Sequence, residues 1–154
     1  MTKDNRDFQI PGVNFDLEKF PYYWLSRVNS RYLKSMEKTL NSLDFDNSRR
    51  RILYTLSAKK DLSISEIVAY TDMKISTVTK LVYKLKEEGF LDTYTSPLDG
   101  RVTMVKILQP GIDTVMAIYE GTRAMLAKSL EGIPEADIES LNNTLMKIFN
   151  NLPE

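Results

Sequence analysis

The 154-residue sequence predicts a mainly α-helical fold carrying one small β-hairpin. Three observations predict it. Apolar residues recur at helical spacing in successive stretches along most of the chain. Two short stretches, "FLDTYT" and "RVTMVKIL", instead alternate and are rich in β-branched residues. Between those two lies "SPLDG", residues 96–100, which is turn chemistry.

Residues 1–15, with Pro11 and Gly12, read as an irregular N-terminal arm. Pro21 suits the first turn of a helix, where its missing N–H costs nothing, and Leu25, Val28, Tyr32, Met36 and Leu40 then continue at helical spacing. This first helix falls in a segment spanning 16–45. A second segment, 46–109, opens with Asp46 as the cap of a helix whose face is Ile52, Leu53 and Leu56. Ser63 followed three residues later by Glu66 is a capping-box pattern and opens a short third helix. "KISTVTKLVYKLKEEGF", residues 74–90, is the fourth helix, stopped by Gly89. The hairpin follows. The last segment, 110–154, holds a fifth helix with Ile112, Val115, Met116, Tyr119, Leu126 and Leu130 as its stripe, and a sixth that Pro134 starts. Ile138, Leu141, Leu145, Ile148 and Phe149 carry the sixth.

Composition removes whole classes of function. The chain has no Cys and no His, so thiol redox chemistry, thiolate metal sites, the commonest metal ligand and the usual general base are all missing. No nucleophile-and-base pair is visible, which argues against an enzyme, and the sequence implies no cofactor. No apolar run approaches the roughly 20 residues needed to cross a membrane, and the start "MTKDNRD" is not a signal peptide. A soluble cytoplasmic protein is expected. Formal net charge is zero, so a polyanion must be met by a local patch.

The fourth helix offers such a patch. At 100° per residue, Ile75, Val78, Leu81, Val82 and Leu85 fall within about 120° of one another and are expected to be buried. The other side presents Ser76, Lys80, Tyr83 and Glu87, flanked by Thr77 and Lys84. Short hydroxyls near the helix start allow close approach to a partner, and Lys further along reaches phosphate, as in a helix lying in the DNA major groove. The preceding short helix and "TDMK" complete a helix-turn-helix. An ordinary amphipathic surface helix is the plainer reading; the hairpin directly after it favours the DNA-binding one.

"LSISEIVAYTDMKISTVTKLVYKLKEEGFL" followed by "DGRVTMVKILQPG" resembles the winged helix-turn-helix core of MarR-type transcription regulators. Asp99, Arg101, Val105 and Gly111 match the family's wing pattern in spacing, and the flanking helices extend the resemblance from about Tyr22 to Leu152. Two departures stand out. Thr93 replaces a usual Arg, weakening expected backbone contacts near the wing, and Ile107–Leu108 replace a usual Leu-Thr. The resemblance implies a winged helix-turn-helix lobe embedded in an all-helical dimerisation layer, made by the first, fifth and sixth helices of a homodimer. It also implies a pseudo-palindromic double-stranded DNA operator, with Arg101 entering the minor groove and Asp99 orienting it. The DNA-contacting set is then Ser65, Lys74, Ser76, Thr77, Thr79, Lys80, Tyr83, Lys84, Asp99 and Arg101.

Two further features stay open at this level. "RRR" at 49–51 is either a solvated basic face, as such runs usually are, or a means of neutralising ligand or phosphate charge. "FPYYWLSR", residues 20–27, is either dimer packing or one wall of an effector pocket. In the second case Tyr23, Trp24 and Arg27 on the first helix, with Tyr54, Met116 and Tyr119, are expected to take a small aromatic carboxylate through an Arg fork. The functional expectation is a dimeric repressor that a small anionic effector releases from its operator. The alternative is a winged-helix dimer that binds protein partners, or binds DNA without sensing a small molecule.

Overall fold

The computed structural model describes residues 16–153, so the expected arm at 1–15 lies outside the described residues. After a 3-10 turn, Leu17–Lys19, the elements run α1 (Pro21–Ser42), α2 (Asn47–Lys59), β1 (Leu62–Ser63), α3 (Ile64–Thr71) and α4 (Ile75–Glu87). There follow β2 (Leu91–Thr95), β3 (Thr103–Ile107), α5 (Gln109–Ser129) and α6 (Glu135–Asn151). Among the described residues the chain divides between Ile118 and Tyr119 into two compact units.

Local chemistry accounts for the element boundaries. Pro21 opens α1, and the Asp46 side chain accepts from Arg49 N at 2.9 Å to cap α2. Ser63 and Glu66 close a reciprocal capping box over α3, with Ser63 N donating to Glu66 Oε2 at 2.7 Å and Glu66 N to Ser63 Oγ at 3.2 Å. Gly89, at φ +80°, takes the left-handed conformation that ends α4 and turns the chain into β2.

The hairpin gains a strand that the sequence reading did not foresee. Two residues, Leu62 and Ser63, pair antiparallel with β3, giving the order β1-β3-β2. Val105 is the hub, opposite Leu62 on one side and Thr93 on the other. A two-residue strand has no periodicity to detect, and Ser63 already carried a cap signal. Gly111, in the first turn of α5, allows that helix to press on the sheet. A Cβ there would run into the Phe90 carbonyl oxygen and sit 2.8 Å from Ile107 Cγ1.

The first unit's core is continuous through Met36 and Leu40 of α1, Ile52, Leu53 and Leu56 of α2, Ile67 of α3, and Val78, Val82 and Leu85 of α4. Leu91, Val105 and Ile118 complete it. Truncating one of its fully buried leucines to Ala would cost about 2–5 kcal/mol. One expectation about burial is corrected. Ile75 is 59% exposed, because it is the first residue of α4 and projects beyond the core. Val28 is exposed on the first half of α1. On α5 the buried apolar residue is Ile118, while Ile112, Met116, Tyr119 and Leu130 of the expected stripe are exposed. That helix is apolar on two sides, so spacing alone does not pick the side covered within the chain. In the second unit α6 buries no residue, and Leu141, Met146 and Phe149 are all more than half exposed.

Candidate nucleic-acid interface

The core-facing stripe of α4 holds the helix by Val78, Val82 and Leu85, so its remaining residues must face outward. Lys74, Ser76, Thr77, Lys80, Tyr83 and Lys84 are all exposed. Thr79 is only partly so, and its hydroxyl donates to the Ile75 carbonyl at 2.8 Å. That bond occupies its proton and leaves it an acceptor. Lys74 and Lys80 make no ion pair among the described residues. Lys84 sits 3.8 Å from Glu88, a loose contact that leaves its side chain about half exposed. The two hydroxyls at the helix start and the lysines further along therefore form one face, as the sequence predicts.

The tip of the wing carries Arg101. The Arg101 side chain is 91% exposed, yet its direction is fixed. Its Nε donates to Asp99 Oδ1 at 3.1 Å and its Nη2 to Asp99 Oδ2 at 3.0 Å, while its backbone N donates to Oδ1 at 3.0 Å. Those hydrogen bonds hold the Asp99 carboxyl below its usual range and the guanidinium above its own. A bidentate pair of this kind orients a charge without burying it. Ser65, Ile75, Thr79 and Arg101, from α3, α4 and the wing, line one groove of about 260 Å³. Three of the sequence-predicted contacts thus converge from separate elements.

Two braces behind this surface were not legible beforehand. Lys86 Nζ donates to Thr93 Oγ1 at 2.7 Å and pairs with Asp92 at 3.0 Å, which ties the end of α4 to β2 at the position where an Arg is usual. Tyr94 donates its hydroxyl to Asp61 Oδ2 at 2.8 Å, fixing the same strand to the loop after α2, and this bond raises the Tyr94 phenol above its ordinary value.

The arginine run at 49–51 is not a solvated face. Arg49 and Arg50 are 8% and 9% exposed. Arg49 Nε pairs with Asp46 at 2.8 Å, its Nη1 with Glu88 at 3.1 Å, and its guanidinium stacks 4.4 Å from the Phe45 ring centroid. Burial works against the charge, but Asp46 and then Glu88 outweigh it and raise the Arg49 pKa. Arg50 instead donates through Nε and Nη2 to the Asn47 amide oxygen, at 3.0 and 2.7 Å, with its guanidinium carbon 5.8 and 5.2 Å from the ring centroids of Tyr32 and Tyr54. The signal that existed was an acceptor three residues before each arginine, Asp46 and Asn47.

On α1, Tyr23 and Trp24 meet edge-on at 5.0 Å between centroids, and Arg27 lies over the Tyr23 ring at 5.2 Å. Trp24 and Arg27 line a groove of about 400 Å³ together with Arg31 and Lys34. Trp24 Nε1 donates to the Glu18 carbonyl at 2.8 Å. Tyr54 is half-buried beside Arg50, and burial raises its phenol although the Arg50 charge pulls the other way. Met116 and Tyr119 are 54% and 45% exposed on α5. The structure gathers Tyr23, Trp24 and Arg27 into one cluster and sets Tyr54 in another with Tyr32 and Arg50. Among the described residues, no group of three or more acidic side chains is placed to hold a metal ion.

An exposed hydroxyl-and-lysine helix beside an arginine-tipped, three-stranded wing defines a winged helix-turn-helix DNA-binding protein. A family model described as MarR family matches residues 43–102. The chain is 44% identical over 138 residues to the HTH-type transcriptional repressor IacR of Pseudomonas putida, covering 90% of this chain and 83% of that protein. It belongs to the MarR family of transcriptional regulators. Solved structures share the fold at lower identity. A MarR-family regulator from Silicibacter pomeroyi superposes with a TM-score of 0.81 at 22% identity, covering 90% of this chain and 93% of that one. BpsR of Bordetella bronchiseptica, whose DNA binding is regulated by 6-hydroxynicotinic acid, gives 0.69 at 19%, covering 82% and 96%.

Proposed function

We propose that this protein is a homodimeric, cytoplasmic, non-enzymatic repressor that leaves its operator when it binds a small aromatic carboxylate. The observation that carries the DNA half is the outward face of α4, with Lys74 and Lys80 unpaired among the described residues beside Ser76 and Thr77, set next to the oriented Arg101. In a two-fold dimer the two α4 helices meet successive major grooves about 34 Å apart, and the wings flank them. The exposed apolar face of α6 supports the dimer, since a partner would remove Leu141, Met146 and Phe149 from water. The basic and aromatic groove of Trp24, Arg27, Arg31 and Lys34 supports an anionic effector. So does the regulation of BpsR, a protein of the same fold, by an aromatic acid.

The effector acts by mass action. An acid that prefers the conformation unable to span two half-sites lowers operator affinity by its ratio of affinities for the two states. The test selects a tight duplex from random sequence and titrates the complex with benzoate, cinnamate, phenylacetate and indole-acetate, each beside its amide. Release by an acid and not by its amide is the expected result. Tight, salt-sensitive retention that no acid relieves would leave a DNA-binding protein that senses no such molecule, and would refute the proposal.

A further inference from the structure

One apolar side chain of α4 is left outside the core. Val78, Val82 and Leu85 are fully buried, whereas Ile75, a turn earlier, is 59% exposed. Lone exposed apolar residues are common on protein surfaces, and exposure alone carries no meaning. The setting of Ile75 is more specific. It lines a groove of about 260 Å³ with Ser65 of α3, Thr79 of α4, and Arg101 and Thr103 of the wing. None of the described lining residues is acidic, and Lys74, next to Ile75, is exposed. A cationic, acid-free surround favours a polyanion over an apolar peptide as the occupant. The hydroxyl proton of Thr79, one turn after Ile75, is already given to the Ile75 carbonyl at 2.8 Å. Neither residue therefore offers a side-chain donor, and this edge of the helix presents apolar surface with one acceptor oxygen. Ile75 is also β-branched, so its side chain is stiff on a helix and loses little freedom on contact.

We infer that Ile75 reads sequence by packing against the 5-methyl group of a thymine in each half-site of the operator. That methyl is the apolar mark a base pair shows in the major groove, where the other marks are hydrogen-bond donors and acceptors. A side chain with no polar atom can select only the methyl. The inference rests on the DNA-binding reading above and deepens it. Lys74 and Lys80 attract phosphate whatever the sequence. Ile75 adds a preference for T·A over C·G at one position of each half-site.

The test replaces thymine by deoxyuridine in the selected duplex, one position of the half-site at a time. The exchange removes the methyl and leaves every hydrogen-bonding group of the base in place. At one position the parent should lose about fourfold in affinity for each half-site exchanged, the expected contribution of one buried methyl. Ile75→Ala should bind the thymine duplex more weakly and should not distinguish uracil from thymine at that position. Its salt dependence and melting temperature should match the parent's, because the side chain carries no charge and lies outside the core. Ile75→Val, which keeps the β-branch, should retain part of the discrimination. If no uracil exchange weakens the parent, or if Ile75→Ala shows the parent's loss at the same position, Ile75 does not read a methyl. Unchanged affinity of Ile75→Ala for the thymine duplex would leave the side chain to a partner other than DNA, and unfolding of that variant together with full methyl discrimination by Ile75→Leu and Ile75→Val would make it structural. Each result overturns the assignment. A parent protein that prefers no duplex over random sequence would instead sink the DNA-binding reading itself, and this inference with it.

Discussion

The junction of α2 with α4 and the flank of α2 beside Tyr32 of α1 carry one buried arginine each, and they differ in what neutralises it. At the first, Arg49 meets Asp46, Glu88 and the Phe45 ring. At the second, Arg50 meets an amide and two phenol rings. The difference is between a charge neutralised by carboxylates within the chain and one that meets only a neutral amide. A charge neutralised inside the chain holds elements together, and one left without a counter-charge is available to something else. The rule extends to the proposed DNA-facing side. Lys86 is spent on Thr93 and Asp92, whereas Lys74 and Lys80 are unpaired among the described residues. Arg101 stands between the two cases, oriented by Asp99 yet almost fully exposed.

The largest effect should come from breaking the paired side. Arg49→Ala strands two carboxylates and loosens the α2–α4 junction. Chemical denaturation should show a loss of about 2–3 kcal/mol, at or below the low end for a buried pair, because the Asp46 and Glu88 side chains stay 53% and 31% exposed. A loss under about 0.5 kcal/mol would mean the pairing is incidental. On the wing, Arg101→Ala should leave the melting temperature unchanged and weaken binding about tenfold to duplexes with A·T-rich flanks, where a narrow minor groove concentrates negative potential. Unfolding of that variant would make Arg101 structural and remove its DNA role.

A smaller effect is expected in acid. Burial alone would raise the Asp46 carboxyl, but hydrogen bonds from the Arg49 backbone and side chain hold it below its ordinary value. A depressed carboxyl stabilises the fold fully above its unfolded pKa of about 3.9, and that contribution disappears as pH falls through the lower folded value. Asp46→Asn keeps the helix cap and loses only the charge. Its stability should therefore trail the parent at neutral pH, and the gap should close as pH falls through the carboxyl's depressed folded value. A gap that does not narrow in acid would show that the charge contributes nothing.

Much of this was legible in the sequence. The caps at Asp46 and Ser63–Glu66 and the stop at Gly89 declare themselves through short-range hydrogen bonding and backbone preference, which need no tertiary context. The exposed face of α4 followed from period alone, because one side of that helix is apolar and the other is not. What stayed hidden depended on contacts distant in sequence or too short to have a pattern. The two-residue strand β1 has no period. Glu88 lies 39 residues from Arg49, so three consecutive arginines looked like a wet surface. The side of α5 that is covered within the chain could not be chosen, since both its sides are apolar. The neighbour of Tyr54, Arg50, lies 5.2 Å from its ring centroid, a contact that spacing along one helix does not single out.

The claim that unpaired cations mark the working surface is tested most directly by comparing two lysines of α4, Lys80 on its outward face and Lys86 in the brace to β2. Affinity for the selected duplex would be measured across a series of salt concentrations for the parent, Lys80→Ala and Lys86→Ala. Lys80→Ala should lower the slope of log affinity against log salt by about one for each half-site, and Lys86→Ala should leave the slope at the parent value. Equal slopes for all three proteins, or a loss confined to Lys86→Ala, would contradict it.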